Sequence, residues 1–406
     1  MNKSLPDPDR RRFLRGSALG LAGAALLPGL ARGQAPEAPA PPPEPRQPVT
    51  RTLGRTGIMV PVVSMGAQTT SPELIRAALD GGMRHIDTAN SYARGRHEEV
   101  VGQVIKGRPR ESFVIGTKVF PGMDNRTGLI PATVTSESFV EKFEVSLKRL
   151  GLDYVDILYI HDLVKAAAVT FEPVLSALVK LKGQGKTKAI GVSTHSNEPE
   201  VIHAVVDAKV YDVVLTSYNF RQPHLPLVQQ AVERAAKAGL GIVAMKTQAG
   251  VFWDKERQQP INMKAALKWA IANENIHTTI PGITSFDQLE ADLAVMADPR
   301  LSDEEKKDLR LEEHKQTAGL YCGQCRRCLE QCPAGLDVPR LMRAYMYAHG
   351  YRNLAQAKDT LAGLDLAALP CTECDGCRVS CTMGFPVREK VLDIARIGLV
   401  PDDFIS

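Results

Sequence analysis

Between residues 49 and 300, apolar runs of strand length alternate with stretches of helical period, and this alternation limits the possible folds more than any other feature. The strand-like runs lie at 63–66, 85–87, 113–118, 155–160, 189–192, 213–216, 241–245 and 277–280. Amphipathic segments such as 139–150, 174–182, 228–238 and 263–273 separate them, with apolar residues recurring every three or four positions. Gly81, Gly82, Gly107, Gly151 and Gly239 mark helix ends. Uninterrupted apolar strands joined by helices belong to a parallel sheet covered on both faces. Eight such units, preceded by a hairpin at 49–62, are what a (β/α)8 TIM-type barrel needs. A doubly wound open sheet is the competing α/β architecture. It would carry a G-x-G-x-x-G turn after its first strand, and none stands there.

In a parallel barrel, chemistry collects where strands end at the C-terminal face. The second strand ends at Asp87, with Tyr92 five residues on; the third ends at Lys118 and the fourth at His161. Singly, each has a structural reading: a turn residue, a rim aromatic, a solvated charge, a core histidine. Together they form a carbonyl site. A phenol with a pKa near 10 donates its proton poorly unless its phenolate is stabilised. A lysine beside it does that, and a carboxylate keeps the lysine charged and oriented. A histidine opposite can hold a carbonyl oxygen in place.

The stretches GMRHIDTANSYARGRHEEVVGQVIKG, SLKRLGLDYVDILYIHD, KAIGVSTHS and SYNF, in that order, resemble the aldo/keto reductases over roughly residues 50–300. The resemblance implies Tyr92 as general acid/base, Lys118 and Asp87 as its tuning pair, and His161 as carbonyl orienter. It also implies NAD(P)H across the barrel mouth, acting on a small carbonyl or alcohol. Ser193 and Thr194 fall where the family contacts the nicotinamide carboxamide, although Asn is usual at the second position. Tyr218 falls where an aromatic stacks on the nicotinamide. Gly282 and Gln288 stand where many members carry the lysine and arginine that grip a 2′-phosphate. That departure leaves Lys246 or a backbone cradle as the substitute and puts NADP selectivity in doubt.

All eight cysteines fall between Cys322 and Cys381, after 321 residues without one. They form two ladders, Cys322-x2-Cys325-x2-Cys328-x3-Cys332-Pro333 and Cys371-x2-Cys374-x2-Cys377-x3-Cys381. This is the spacing of two-cluster bacterial ferredoxins, in which the fourth cysteine of each ladder ligates the other cluster. The expected sets are therefore Cys322, Cys325, Cys328 and Cys381 for one 4Fe–4S cluster, and Cys371, Cys374, Cys377 and Cys332 for the second. Disulfides would leave the repeated iron spacing a coincidence. Zinc sites use paired C-x2-C elements without third and fourth members at x2 and x3. Segments 338–350 and 353–363 read as helices, so residues 301–406 are expected to form a small, mainly helical iron–sulfur domain.

Arg10-Arg11-Arg12-Phe13-Leu14-Arg15 precedes an uncharged, mildly apolar run at 16–31. The pattern resembles a twin-arginine export signal, here residues 1–35, with Asp9 where Ser or Thr is commoner. Residues 36–48, PEAPAPPPEPRQP, read as a stiff linker before the barrel at 49–300. The expected location is periplasmic or otherwise exported, with no membrane span once the signal is removed; an uncleaved signal would act as a tether. A net charge of +4, with no basic stripe interleaved with aromatics, offers no case for nucleic acid.

These parts read as an exported oxidoreductase whose clusters exchange electrons with a redox partner protein. Two tensions accompany that reading. Free NAD(P)H is not expected outside the cytoplasm. Hydride also carries two electrons where each cluster passes one, and no motif for a flavin or other converter is present. The alternative is an iron–sulfur electron-transfer protein whose barrel is a scaffold or docking domain.

Overall fold

The computed structural model describes residues 48–124, 126–222, 224–254, 257–311, 322, 324–364, 366, 371, 372, 374, 376–381, 383–401 and 404. The signal expected at 1–35, and the linker apart from Pro48, lie outside the described residues.

A hairpin opens the folded chain, with β1 (Thr50–Thr52) antiparallel to β2 (Met59–Pro61) and Thr50 opposite Pro61. Seven parallel strands follow in one sheet and in sequence order: β3 (His85–Asp87), β4 (Val114–Val119), β5 (Val155–Ile160), β6 (Thr187–Thr194), β7 (Val213–Ser217), β8 (Gly241–Met245) and β9 (Thr278–Thr279). Residues 63–66 close the ring. Val63 and Gly66 bridge to Thr279 and Gly282 on one side, and Met65 bridges to Ile86 on the other, all in parallel register. The sheet is thus an eight-membered (β/α)8 barrel whose first member is held by isolated bridges.

The helices of the outer layer are α1 (Pro72–Asp80), α2 (Arg96–Ile105), α3 (Ser136–Leu150), α4 (Ala166–Val169), α5 (Glu172–Gly183), α6 (Glu198–Ala208), α7 (Leu225–Lys237), α8 (Met263–Ala272) and α9 (Phe286–Ala297). Their ends follow local chemistry. Ser71 and Ser285 cap α1 and α9 by accepting from Leu74 N and Gln288 N. A reciprocal Thr135–Ser138 capping box starts α3, and Gly151 ends it at φ 66°, a conformation that glycine reaches without a Cβ clash. One continuous apolar layer fills the space between helices and strands. A second core fills the barrel itself, where Ile157, Tyr159, Val213, Leu215 and Val243 pack on Leu53, Ile58 and Val60 of the hairpin. The hairpin therefore plugs the end at which the strands begin. Contact there is close enough that a Cβ on Gly54 would lie 2.3 Å from Gly241 N. The opposite end, where the strands finish, is left for the site.

After α10 (Asp303–Asp308) the chain enters the cysteine region: α11 (Cys328–Gln331), α12 (Val338–Tyr345), α13 (Leu354–Leu361) and α14 (Val387–Gly398). α12 runs into a single wider turn of π-helix at Met346–Gly350. α12, α13 and α14 pack on one another around Val338, Leu341, Met342, Leu361, Val391 and Ile394. Cys322, Cys328, Cys332, Cys371 and Cys381 lie against this small core. The C-terminal region is mainly helical, as its periodicity indicates. No helix among the described residues is long and apolar enough to cross a membrane.

Candidate active site and cluster ligands

The ends of β3, β4 and β5 bring Asp87, Lys118 and His161 together, and the turn after β3 adds Tyr92. Lys118 is buried, and its ammonium donates to Asp87 Oδ1, to Thr88 O at 2.8 Å and to Tyr92 Oη at 3.3 Å. The Tyr92 ring meets the His161 ring edge-on at 5.6 Å between centroids. Burial pushes the Asp87 carboxyl up and the Lys118 ammonium down, and each opposes the shift of the other. His161 falls to about 3, chiefly by burial and then through the Lys118 charge. Near neutral pH it is therefore a neutral imidazole.

Tyr92 differs from the sequence expectation. Its phenol is raised far above its usual value, first by burial and then by the carboxylates of Asp87, Asp162 and Asp359. Lys118 donates to the Tyr92 hydroxyl while also bonded to Asp87 and the Thr88 carbonyl, and the phenol nonetheless stays high. At rest Tyr92 is a neutral proton donor.

The turn carrying Tyr92 is strained. Ala93 and Arg94 have φ of 47° and 55°, and Gly95 follows at 93°. The left-handed region costs a non-glycine residue about 1–2 kcal/mol, so surrounding contacts must hold the turn. Asp359 on α13 accepts from Ala93 N at 2.5 Å, and Arg149 donates to Asn90 O at 2.9 Å. The C-terminal region thus reaches the barrel mouth. Arg343 on α12 donates to Asp162 Oδ2 at 2.7 Å, and Ser196 Oγ lies 3.0 Å from Gln324 Oε1. Sequence reasoning had no access to Arg343, Asp359 or Gln324, because their roles exist only once the helices dock. Asp162 and His195 carried a weak signal, each being the next residue after a strand-end position already noted.

Three cavities meet at Tyr92, one of them about 340 Å³ and bounded by Thr69, Arg94, His97 and Asp359. Of the other two, the wider, about 470 Å³, is lined by Tyr92, Phe120, His161, His195, Arg326 and Arg343 among others. The narrower, about 60 Å³, runs past Gly66, Lys246 and Gly282 and is covered by Tyr347 and Tyr351.

The six residues assigned to a dinucleotide behave differently from one another. Lys246, at φ 56° and lowered to about 7 mainly by burial, and Gly282 both line the narrow cavity. Ser193 Oγ accepts from Asp162 N, Thr194 Oγ1 donates to Ser196 O, and both side chains are buried. Tyr218 stacks on Trp269 at 5.1 Å, with its hydroxyl accepting from Asn273 and Gln229. Gln288 Oε1 accepts from Thr284 N at the start of α9. A Cβ on Gly282 would lie 2.2 Å from the Gln68 side chain, so Gln68 already fills the space beside it. Ligand pockets typically measure about 300–1,000 Å³. At about 60 Å³ the narrow cavity by itself is too small for a nicotinamide dinucleotide, and it adjoins the 340 Å³ cavity at Gln68, Tyr92 and Gln356.

The thiols fall into two sets of four. Cys322 and Cys328 both stand within electrostatic range of Cys325 and Cys381, and Cys371 stands within range of Cys374, Cys377 and Cys332. The fourth cysteine of each ladder has therefore crossed to the other set. Among the described residues, no three His, Cys, Asp or Glu side chains converge closely enough for a single metal ion. A cubane gives each iron one protein thiolate and so spreads its ligands further apart. The donor set fits 4Fe–4S clusters. Backbone N–H groups of Gln324 and Met383 donate to the sulfurs of Cys322 and Cys381 at 3.4 Å. Burial raises the Cys322 and Cys328 thiols to about 11 and about 12, so iron must displace their protons on binding.

Comparison with known proteins agrees with this construction in two parts. Residues 66–265 match the aldo/keto reductase family, and residues 321–386 match the 4Fe-4S dicluster domain. Residues 66–265 are thus similar to the aldo/keto reductases and residues 321–386 to a 4Fe–4S dicluster domain. The aldo-keto reductase YhdN of Bacillus subtilis is 38% identical over 133 residues, covering 32% of this chain and 39% of that protein. D-threo-aldose 1-dehydrogenase of a Pseudomonas species is 30% identical over 194 residues, covering 42% and 57%. The chain therefore spans less than two thirds of either relative. An aldo-keto reductase from Bacillus halodurans superposes with a TM-score of 0.54 at 21% identity, covering 66% of this chain and all (100%) of that one, which shows the shared fold.

Three buried histidines give the domain a pH signature. His85, His97 and His161 are lowered to about 4, 3 and 3, in each case mainly by burial. A lowered folded-state value means that the unfolded chain binds the proton more readily. Stability is then complete above the unfolded value near 6.5 and falls as pH drops toward the folded values. Each histidine is expected to cost about 1–2 kcal/mol at pH 5. Thermal melts between pH 7.5 and 5 should show Tm falling steadily below pH 6.5; a flat profile would contradict the burial.

Proposed function

We propose that this chain is an exported oxidoreductase that interconverts a small carbonyl compound and its alcohol at Tyr92, Lys118, Asp87 and His161, in electronic contact with two 4Fe–4S clusters. The observation that carries the reading is the buried Lys118 hydrogen-bonded at once to Asp87 and Tyr92, beside the His161 ring and the wider cavity.

In this reading the substrate occupies the wider cavity with its carbonyl oxygen between Tyr92 and His161. His161, neutral at working pH, fixes the direction of that oxygen. Tyr92, held as a neutral phenol, donates a proton as negative charge develops on the oxygen. Lys118 stabilises the phenolate left behind and is kept charged by Asp87. Tyr347 and Tyr351 limit entry of water from the other side. When bound, the clusters would supply electrons singly, two for each carbonyl reduced. Of the two protons taken up with them, one reaches oxygen from Tyr92 and the other reaches carbon from solvent water in the wider cavity. No step is assigned to a nicotinamide, given the narrow cavity.

A second reading, in which the barrel is a non-catalytic docking domain, gains weight from that same narrowness. Tyr92→Phe separates the two. Assayed anaerobically with a reduced viologen dye and a panel of small aldehydes, ketones and aldoses, the variant should lose at least about 100-fold in kcat. Its iron should stay at about eight atoms per chain, two clusters of four. Undiminished turnover would favour the docking reading.

Export rests on the arginine motif alone. Replacing Arg10 and Arg11 together by lysine is expected to hold the full-length protein in the cytoplasm on fractionation. Unchanged periplasmic recovery would remove the twin-arginine assignment.

A further inference from the structure

The two cysteine sets occupy different places relative to the barrel mouth. The loop carrying Cys322, Cys325 and Cys328 also carries Gln324 and Arg326. Arg326 lines the wider cavity together with Tyr92, His161 and His195. Gln324 is buried at φ 56° and joins three parts of the protein. Its backbone N–H donates to Cys322 Sγ at 3.4 Å, its side-chain Oε1 accepts from Ser196 Oγ after β6 at 3.0 Å, and its side-chain Nε2 donates to Pro339 O on α12 at 3.3 Å. Beyond Ser196, the rings of His195 and His161 stand 6.4 Å apart, and the next ring is Tyr92. A packed path therefore runs from the sulfur of Cys322 to the phenol.

The second set has other neighbours. Cys371 is packed within the core of the C-terminal helices, and its carbonyl accepts from Arg388 Nε at 3.2 Å. Ser380 N donates to Gln331 at 2.7 Å, within the same region. Cys377 is exposed. Among the described residues, none between 371 and 381 lines the wider cavity.

We infer that the two clusters are not equivalent. The cluster held by Cys322, Cys325, Cys328 and Cys381 is an inner cluster seated against the barrel site. The cluster held by Cys371, Cys374, Cys377 and Cys332 is an outer one that meets an external one-electron carrier. An electron delivered to the outer cluster reduces it; passing inward, it reoxidises the outer cluster and reduces the inner. The assignment rests on the reading that the ladders hold two clusters, and it adds their order.

Cluster potentials respond to nearby charge, and the charges differ between the two seats. Arg343, buried and bonded to Asp162, and Lys246 at the end of β8 both stand within electrostatic range of Cys322, while Arg388 stands beside Cys371. Removing a cation should make its own cluster harder to reduce and leave the other unchanged.

The test is a redox titration followed by electron paramagnetic resonance on anaerobically purified full-length protein. Arg343→Met and Lys246→Met are each expected to move one and the same cluster to a more negative potential, and Arg343→Lys to restore it in large part. Arg388→Met should move only the other cluster. Two variants on the barrel side keep the test open if either fails to load iron. Barrel-side variants that leave both potentials unchanged, or that move the cluster sensitive to Arg388, would overturn the assignment. Iron near four per chain in the parent protein would instead remove the two-cluster reading itself, and the order with it.

Discussion

The ion pair between Lys118 and Asp87 is the interaction on which the site depends. Both residues are almost fully excluded from solvent, at 1% exposure each. Two charges can be held in such a place only if each answers the other, and removing one partner of a buried pair typically costs about 3–5 kcal/mol. The barrel supplies the geometry because β3 and β4 are adjacent and in parallel register, with Asp87 opposite Gly116. Gly116 lacks a Cβ, and one placed there would lie 3.3 Å from Asp87 Oδ2 and from His85 Nε2. The carboxylate therefore has room to turn toward Lys118. With the pair fixed, the Thr88 carbonyl and the Tyr92 hydroxyl take the remaining ammonium protons, and the position of the phenol follows.

The pair does not hold the Tyr92 turn in its left-handed path. The C-terminal helices do that, since Asp359 receives the Ala93 amide while Arg343 engages Asp162 one residue beyond His161. The region that carries the clusters therefore also finishes the barrel mouth. Its aromatic residues, Tyr347 and Tyr351, line and narrow the cavity beside Lys246 and Gly282. The same docking brings the first cysteine ladder against the end of β6. Narrowing of that cavity and contact with the ladder are two results of one packing arrangement.

Much of this could be read from the chain. Strand and helix periods gave the barrel, because strands covered on both faces must be apolar throughout, as β5 is. The first barrel member, 63–66, appears only as isolated bridges, since its neighbours β9 and β3 are themselves two and three residues long. Asp87, Tyr92, Lys118 and His161 converge because strand ends in a barrel necessarily do. The crossing of the fourth cysteines follows from ladder spacing, a local property. What could not be read was anything set by docking between distant segments. The charge state of Tyr92 depends in part on Asp359, which sequence placed nowhere near it, and on Asp162, which sequence marked only as the neighbour of His161. Tyr218 could not be known to stack on Trp269, because that contact joins β7 to α8.

The central claim is that the cluster region and the barrel site are one structure, joined at the turn of Tyr92. Hydrogen exchange by mass spectrometry on a peptide covering residues 88–95 tests it most directly, comparing iron-loaded protein with protein stripped by a chelator. If Asp359 holds the Ala93 amide, that peptide is protected in the loaded protein and exchanges faster once the clusters are gone, while core peptides such as the one covering β7 do not change. Equal exchange at residues 88–95 in both forms would contradict the account.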